Sequence, residues 1–103
     1  MHFTSKINPV LFIAEVGSNH EGNYKEAIKL VLNACDTNSD VVKLQIFTAK
    51  NLVAKKYDNK RFQHFKKLEL SVSQNKELFR IIKSKKKKCS ASIWDVDQID
   101  IFK

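Results

Sequence analysis

Residues 12–47 read FIAEVGSNHEGNYKEAIKLVLNACDTNSDVVKLQIF, and the changes of hydrophobic period within them decide the fold. Residues 10–16 are almost continuously apolar, which is typical of a strand buried on both faces. Residues 24–35 place their apolar side chains on one helical stripe. Residues 41–47 alternate again as a strand. Strand, helix and strand in this order predict two parallel strands joined by a right-handed crossover.

Polar residues mark the ends of these elements and raise one question of chemistry. Asn23 is the predicted N-cap of the helix, and Asn38 is predicted to end it in the left-handed conformation. Glu15 lies within the first apolar run. An ionised carboxylate in a buried strand is unfavourable unless another group pairs with it or the protein uses it, so its placement needs a cause.

The middle of the chain is the least regular part of the sequence. Residues 48–70 are rich in Lys, Asn and Gln and predict a long loop with a helical turn near residues 62–68. Ser71 and Gln74 have the spacing of a capping box. The apolar pattern after them predicts an amphipathic helix that ends at about Lys87.

The last part of the chain completes an α/β pattern. Residues 89–94 predict a third strand, and Asp95 is the predicted cap of a helix that starts at Val96. Alternating strands and helices predict an α/β fold with parallel strands. Three strands are fewer than a (β/α)8 barrel or a doubly wound sheet contains, so the chain resembles the opening third of a larger domain.

Composition and charge limit the classes of partner. The 103 residues carry 19 Lys and Arg against 11 Asp and Glu, and this charge of +8 favours an anionic partner. No apolar run reaches the roughly 18 residues of a membrane span, and residues 1–9 lack the pattern of a signal peptide. Cys35 and Cys89 are far apart and suggest neither a disulfide framework nor a zinc site. We expect a soluble cytoplasmic protein without membrane partners.

Polar side chains stand near the carboxyl end of each predicted strand. Glu15 precedes the end of the first strand, Lys43 and Gln45 lie near the end of the second, and Ser92 lies near the end of the third. In parallel α/β folds these ends meet at one edge, where working groups collect. A carboxylate, an ammonium, an amide and a hydroxyl together predict a site that holds a small anion and moves a proton.

At these residues the sequence resembles the N-acetylneuraminate (sialic acid) synthase family. The resemblance is carried by IAEVGSNHEGN, EAIKLVLNA, VVKLQIF, LVAKK, KKLELS and SASIWD, in this order, from Phe12 to Asp95. It implies that residues 1–103 are the N-terminal fragment of the family's (β/α)8 barrel domain. The implied fold is therefore α/β, the opening three β/α units of a TIM-type barrel, incomplete in this chain.

The resemblance also implies a reaction and roles for five residues. The family condenses phosphoenolpyruvate with an N-acetylmannosamine-type sugar, an N-acylated amino sugar, and releases phosphate. Glu15 matches the acidic residue placed near the sugar aldehyde and the attacking water, where it is the candidate general base. Lys43 matches the lysine that contacts phosphoenolpyruvate, with Gln45 beside it. Ser92 stands where the family commonly has Thr, and Asn19 is a weaker candidate for shaping the pocket.

The resemblance implies a divalent metal, manganese or magnesium, for the complete enzyme. The family's metal-binding histidines lie on later strands, and the three histidines here, His2, His20 and His64, do not match their pattern. The metal ligands are therefore expected outside this chain. The chain alone is expected to be inactive, and its uncovered strand edges predict self-association into a homo-oligomer.

Structural explanations compete with these functional ones. Glu15 and Lys43 can form an ion pair that serves only the fold. His20 is typical of a turn residue, both cysteines and Trp94 are typical of packing, and residues 83–88, KSKKKK, are typical of solvated cations at a helix C-terminus. Nucleic-acid binding through KSKKKK is disfavoured because this run lacks interleaved aromatic residues. The remaining alternative to an enzyme segment is a non-catalytic basic binding module or a truncated paralogue.

Overall fold

A computed structural model describes residues 10–102 as a parallel sheet with helices. The strands are β1 (Ile13–Val16), β2 (Val41–Ile46) and β3 (Lys88–Ile93). The helices are α1 (Tyr24–Cys35), α2 (Ala49–Leu52), α3 (Asn59–Leu68) and α4 (Val72–Ser84), with 3-10 helical segments at Ser18–His20 and Val96–Phe102. The sheet has the order β1-β2-β3, and both strand pairs are parallel. The α/β prediction is confirmed.

The core lies between one face of the sheet and helices α1 and α4. Its buried members are Ala27, Val31, Cys35, Val42, Leu44, Leu78 and Ile82. Because side chains alternate along a strand, Val42 and Leu44 point to this face while Lys43 and Gln45 point to the other. Cys35 is buried in the core and Cys89 packs against it, as predicted. Burial raises the pKa of the Cys89 thiol to about 11.

The first strand is not buried on both faces, and that prediction is wrong. Leu11 and Ile13 expose 59% and 53% of their surface, and Glu15 is exposed. The reason is that β1 is the edge of the sheet, with β2 on one side only and α1 against one face only. An apolar run indicates that a strand is suited to burial. It does not show that other residues of the chain cover both faces of that strand.

The long loop predicted at residues 48–70 is also wrong, because most of it is helical, while the helical turn predicted near residues 62–68 is confirmed as part of α3. Helices α2 and α3 occupy it. Asp58 caps α3, and its Oδ1 accepts a hydrogen bond from the Arg61 backbone N–H at 3.0 Å. The ring of Phe65 packs edge-on against Phe47, with centroids 5.9 Å apart. Lys, Arg and Gln are good helix formers, so a polar composition did not exclude a helix here.

The predicted helix caps have mixed outcomes. Asn23 accepts a hydrogen bond from the Glu26 N–H, and Ser71 forms a complete capping box with Gln74, so both N-caps are confirmed. Asn38 is not left-handed. Instead α1 ends at Asp36 in the right-handed region, and the Thr37 hydroxyl donates to the Ala34 carbonyl at 2.6 Å. The Thr37 N–H and the Ser39 hydroxyl donate to the same carbonyl at 3.2 and 3.3 Å, so it is satisfied without a left-handed residue.

The lysine run is shared between two elements and a loop. Helix α4 ends at Ser84, earlier than predicted, and Lys86 is left-handed at φ 61°. Lys87 Nζ donates to the Thr37 and Ser39 carbonyls at 3.0 and 2.6 Å. Lys87 is therefore an anchor at the amino edge of the sheet rather than a solvated cation. None of the helices in residues 10–102 is long and apolar enough to cross a bilayer.

Candidate functional site

Three of the predicted site residues lie together on the sheet face opposite the core. Glu15 is in register with Lys43 across β1 and β2. Gln45, two residues further along β2, donates from Nε2 to Glu15 Oε1 at 2.8 Å. The amide thereby orients the carboxylate and leaves Glu15 Oε2 without a hydrogen bond among residues 10–102. Burial is not what constrains Glu15, since the side chain is exposed.

Lys43 is a half-buried cation with no anionic partner in the part of the chain that the structure describes. The ion pairs there are Lys29–Glu26, Lys66–Glu69 and Arg80–Glu77. The alternative in which Glu15 and Lys43 form a structural ion pair is therefore not observed. The reason is that the Gln45 amide, rather than the Lys43 ammonium, contacts the carboxylate.

The third strand adds two hydroxyls to the same face. Ser92 is in register with Gln45, and Ser90 is in register with Lys43. Ser90 and Ser92 lie on the same face because side chains alternate along a strand, so residues two apart point to the same side. Ser90 was not among the predicted site residues. The two-residue period running back from Ser92 is the signal that identifies it.

The turn after β1 brings Asn19 beside these residues. A Cβ atom placed on Gly17 would lie 3.5 Å from Asn19 Oδ1 and 3.6 Å from Gln45 Oε1. Both amide side chains therefore border the same point at the end of β1. Asn19 lies in the 3-10 segment Ser18–His20, which follows Gly17 at the end of β1.

His20 holds this turn from within. Its side chain is buried, and Nδ1 accepts a hydrogen bond from the Gly22 N–H at 2.9 Å. Desolvation by burial lowers the pKa of His20, so the imidazole is neutral at neutral pH. His20 is thus a turn residue, as predicted. Gly22 has φ 80°, and its Cα faces the Lys67 carbonyl, so the end of α3 lies directly against the turn.

Asp95 joins the loops that follow β2 and β3. Its Oδ2 accepts hydrogen bonds from Thr48 Oγ1 at 3.0 Å and from Gln98 Nε2 at 2.9 Å, and its Oδ1 accepts from the Asp97 N–H. These hydrogen bonds lower the pKa of Asp95, and the bond from Gln98 has the largest effect. The predicted capping role is confirmed, while the link to Thr48 was missed because a capping motif is local. The neighbouring Trp94 is 54% exposed, so its predicted packing role is wrong.

The described residues do not fit a divalent metal. Within residues 10–102 no group of three His, Cys, Asp or Glu side chains is close enough to hold a metal ion. His20 uses Nδ1 in the turn, and the ring of His64 lies edge-on against Phe65. His2 lies outside the described residues.

Comparison with known proteins identifies the family. The NeuB family profile matches residues 30–103. The chain belongs to the NeuB family. Over 108 residues it is 34% identical to the N,N'-diacetyllegionaminic acid synthase of Campylobacter jejuni, covering 89% of this chain and 31% of that protein. It is 40% identical over 47 residues to the spore coat polysaccharide biosynthesis protein SpsE of Bacillus subtilis, covering 46% of this chain and 13% of that protein.

A solved structure shows the same fold for this NeuB-family chain. The N-acetylneuraminic acid (sialic acid) synthetase from Leptospira borgpetersenii, crystallised with citrate, superposes with a TM-score of 0.80 at 23% identity. The match covers 91% of this chain and 32% of that structure. The chain therefore spans about a third of the length of the Campylobacter and Leptospira proteins.

Proposed function

We propose that this NeuB-family chain forms the first three β/α units of a (β/α)8 TIM-type barrel in a sialic-acid-type synthase, with residues 1–103 as its N-terminal part. The position of the crossover helices supports this. Helices α1 and α4 pack on the same face of the sheet. This is the arrangement that consecutive β/α units of a barrel require, because a barrel keeps its helices on one face of the sheet.

The proposed reaction joins phosphoenolpyruvate to an open-chain N-acetylmannosamine-type sugar. A bond forms between the methylene carbon of phosphoenolpyruvate and the aldehyde carbon, water adds to the neighbouring carbon, and phosphate leaves. The names of the relatives, a diacetyllegionaminic acid synthase and a sialic acid synthetase, support a substrate pair of this class. The free thiols Cys35 and Cys89 suit a reducing cytoplasm, where we place the activity.

The half-buried ammonium of Lys43, which has no anionic partner among residues 10–102, carries the proposal. Lys43 is in register with Glu15, the acceptor of the Gln45 amide, and lies on the sheet face opposite the core. A cation without a protein partner is available to the phosphate or carboxylate of phosphoenolpyruvate. Ser92 is in register with Gln45, and its hydroxyl would donate to the same anion.

Glu15 is proposed as the general base. The Gln45 amide holds Oε1, so Oε2 is the oxygen that can accept a proton from the attacking water. Asn19, across Gly17 from Gln45, would border the pocket on the side of the turn. A manganese or magnesium ion is proposed for the complete enzyme, with ligands outside this chain, as the family resemblance implies.

Replacing Lys43 tests the proposal. Lys43→Ala and Lys43→Met remove one charged contact and are expected to weaken phosphoenolpyruvate binding by about 10-fold or more, measured by calorimetry. Lys88→Ala is the matched control, because Lys88 lies on the same sheet face but at the amino end of β3, in register with Val41.

Two results would contradict the proposed function. Unchanged affinity in both Lys43 variants would remove Lys43 from its role. A folded wild-type chain that ignores phosphoenolpyruvate but binds DNA with a strong salt dependence would favour the basic binding module instead.

A further inference from the structure

A second group of positive charges lies outside the candidate site and has no role in the proposed reaction. Residues 55–67, KKYDNKRFQHFKK, contain six basic side chains and one acidic side chain. We call the six the cationic strip: Lys55, Lys56, Lys60, Arg61, Lys66 and Lys67. All six residues are exposed. The acidic residue, Asp58, is occupied as the N-cap of α3.

Most of the strip keeps its charge unneutralised. Lys66 pairs with Glu69 at 3.2 Å, and within residues 10–102 the other five have no carboxylate within ion-pair distance. Lys55 lies over the Phe62 ring at 5.4 Å, and Arg61 lies over the Phe65 ring at 5.7 Å. An aromatic face orients a cation but does not cancel its charge.

Helix α3, which carries most of the strip, is fixed at the carboxyl edge of the sheet. Its Phe65 packs against Phe47, which directly follows β2. Glu69 Oε1, just after the helix, accepts a hydrogen bond from the Ala49 N–H at 3.3 Å. The Lys67 carbonyl lies against Gly22 in the turn that carries Asn19. The strip is therefore attached to the same edge as Glu15, Lys43 and Gln45.

We propose that the cationic strip is an anion-gathering surface that raises the local concentration of small phosphorylated or carboxylated anions at the carboxyl edge. Unpaired surface charges of one sign around a site steer oppositely charged ligands and speed their association. The effect reaches about 8 Å at physiological ionic strength and is screened by added salt. That the gathered anion is phosphoenolpyruvate rests on the proposed function; the gathering itself does not.

Two variants of equal charge separate this local effect from net charge. The strip variant carries Lys55→Gln, Lys60→Gln, Arg61→Gln and Lys67→Gln. The matched control carries Lys83→Gln, Lys85→Gln, Lys86→Gln and Lys88→Gln, which lie between the end of α4 and the amino end of β3. The control leaves Lys87 unchanged, because its ammonium holds the Thr37 and Ser39 carbonyls.

The measurement compares a carboxylate-bearing nitroxide with its uncharged carboxamide analogue as paramagnetic co-solutes. The ratio of amide-proton relaxation caused by the two probes reports local anion enrichment at Asn19 and Gly22 on the carboxyl edge and at Thr37 on the amino edge. At low salt the strip variant is expected to lower the ratio at Asn19 and Gly22 about twofold or more and to spare Thr37. The control variant is expected to lower the ratio at Thr37 and to leave the ratio at Asn19 and Gly22 unchanged.

The outcomes distinguish the two proposals. If the strip variant leaves the ratio at Asn19 and Gly22 unchanged, or if both variants lower it equally, the cationic strip has no local role and the inference is overturned. If the ratio falls as expected while the wild-type chain binds no phosphoenolpyruvate, the anion-gathering surface stands and the proposed function fails. Where phosphoenolpyruvate binds, the strip variant is expected to slow its association at low salt and not at high salt.

Discussion

Gly22 and Gly17 border the same turn but tolerate a side chain differently. A Cβ on Gly22 would lie 1.8 Å from the Lys67 carbonyl oxygen, and its φ of 80° is unfavourable for other residues. A Cβ on Gly17 would meet its neighbours at 3.5 Å or more, an ordinary contact.

We therefore expect Gly22→Ala to lower the free energy of unfolding by more than about 1 kcal/mol, because α3 must move away from the turn. Gly17→Ala is the control and should change the free energy of unfolding little. Urea denaturation of both variants measures the difference. Equal stability of the two variants would show that α3 does not rest against this turn.

His20 makes the stability of the turn depend on pH. Its pKa is lowered in the folded chain by burial, whereas in the unfolded chain it takes the ordinary value of 6.5. As the pH falls through 6.5 the unfolded chain binds a proton that the folded chain resists, so the free energy of unfolding decreases toward acid. Protonation of Nδ1 would also remove the acceptor for the Gly22 N–H.

The expected result is a loss of stability between about pH 7.5 and pH 5.5 that is larger in the wild-type chain than in His20→Asn. The Asn amide oxygen can accept the same hydrogen bond but does not titrate. Thermal unfolding across this pH range measures both proteins. Parallel curves for the two would mean that His20 titrates alike in the folded and unfolded chain.

At the residue scale the sequence predicted which candidate side chains share a face, but not their contacts. Strand periodicity alone places Lys43 and Gln45 together, and the register adds Glu15 and Ser92. Whether Glu15 meets Lys43 or Gln45 depends on side-chain geometry across two strands, which no local pattern contains. Their roles in catalysis stay predictions.

The helix caps illustrate what can be predicted at the scale of elements. The capping box of Ser71 and Gln74 was recognisable because both hydrogen bonds join residues three apart. The length of helix α3 was underestimated from the sequence. One reason is that its packing depends on Phe47, which is distant in sequence. The other is that none of its own residues is buried. Local signals identify an element best when local contacts stabilise it.

Replacing Ser71, the N-cap of α4, tests how much this cap contributes to the free energy of unfolding. Ser71→Ala removes the acceptor of the Gln74 N–H and should lower the free energy of unfolding by about 1 kcal/mol. Ser71→Gly is the matched variant, expected to cost only a few tenths of a kcal/mol. Chemical denaturation followed by circular dichroism measures both. If Ser71→Ala leaves the free energy of unfolding unchanged, the Ser71 hydroxyl is not a stabilising group.

Across the whole molecule, the apolar surface is unevenly covered. Val10, Leu11 and Ile13 each expose more than half of their surface along the β1 edge. β1 and β3 are both edge strands within the described sheet. Exposed strand edges with apolar side chains favour pairing with another chain.

The chain alone is therefore expected to self-associate with rising concentration in sedimentation velocity. Val10→Lys with Leu11→Lys should shift the equilibrium toward monomer, because charge at an edge opposes pairing. Val96→Lys with Ile99→Lys is the control, adding the same charge at exposed apolar residues away from β1. If both pairs of substitutions act alike, net charge rather than the β1 edge governs association.

The sequence by itself determined the three parallel strands, helices α1 and α4, the N-caps Asn23 and Ser71 and the family, because these depend on local period, capping hydrogen bonds and motif order. Only the tertiary structure decided that β1 is an exposed edge, that Gln45 rather than Lys43 contacts Glu15, and that α3 lies against the Gly22 turn. These features arise between segments far apart in the chain, where the free energy depends on which surfaces meet. Residue type alone does not specify that pairing.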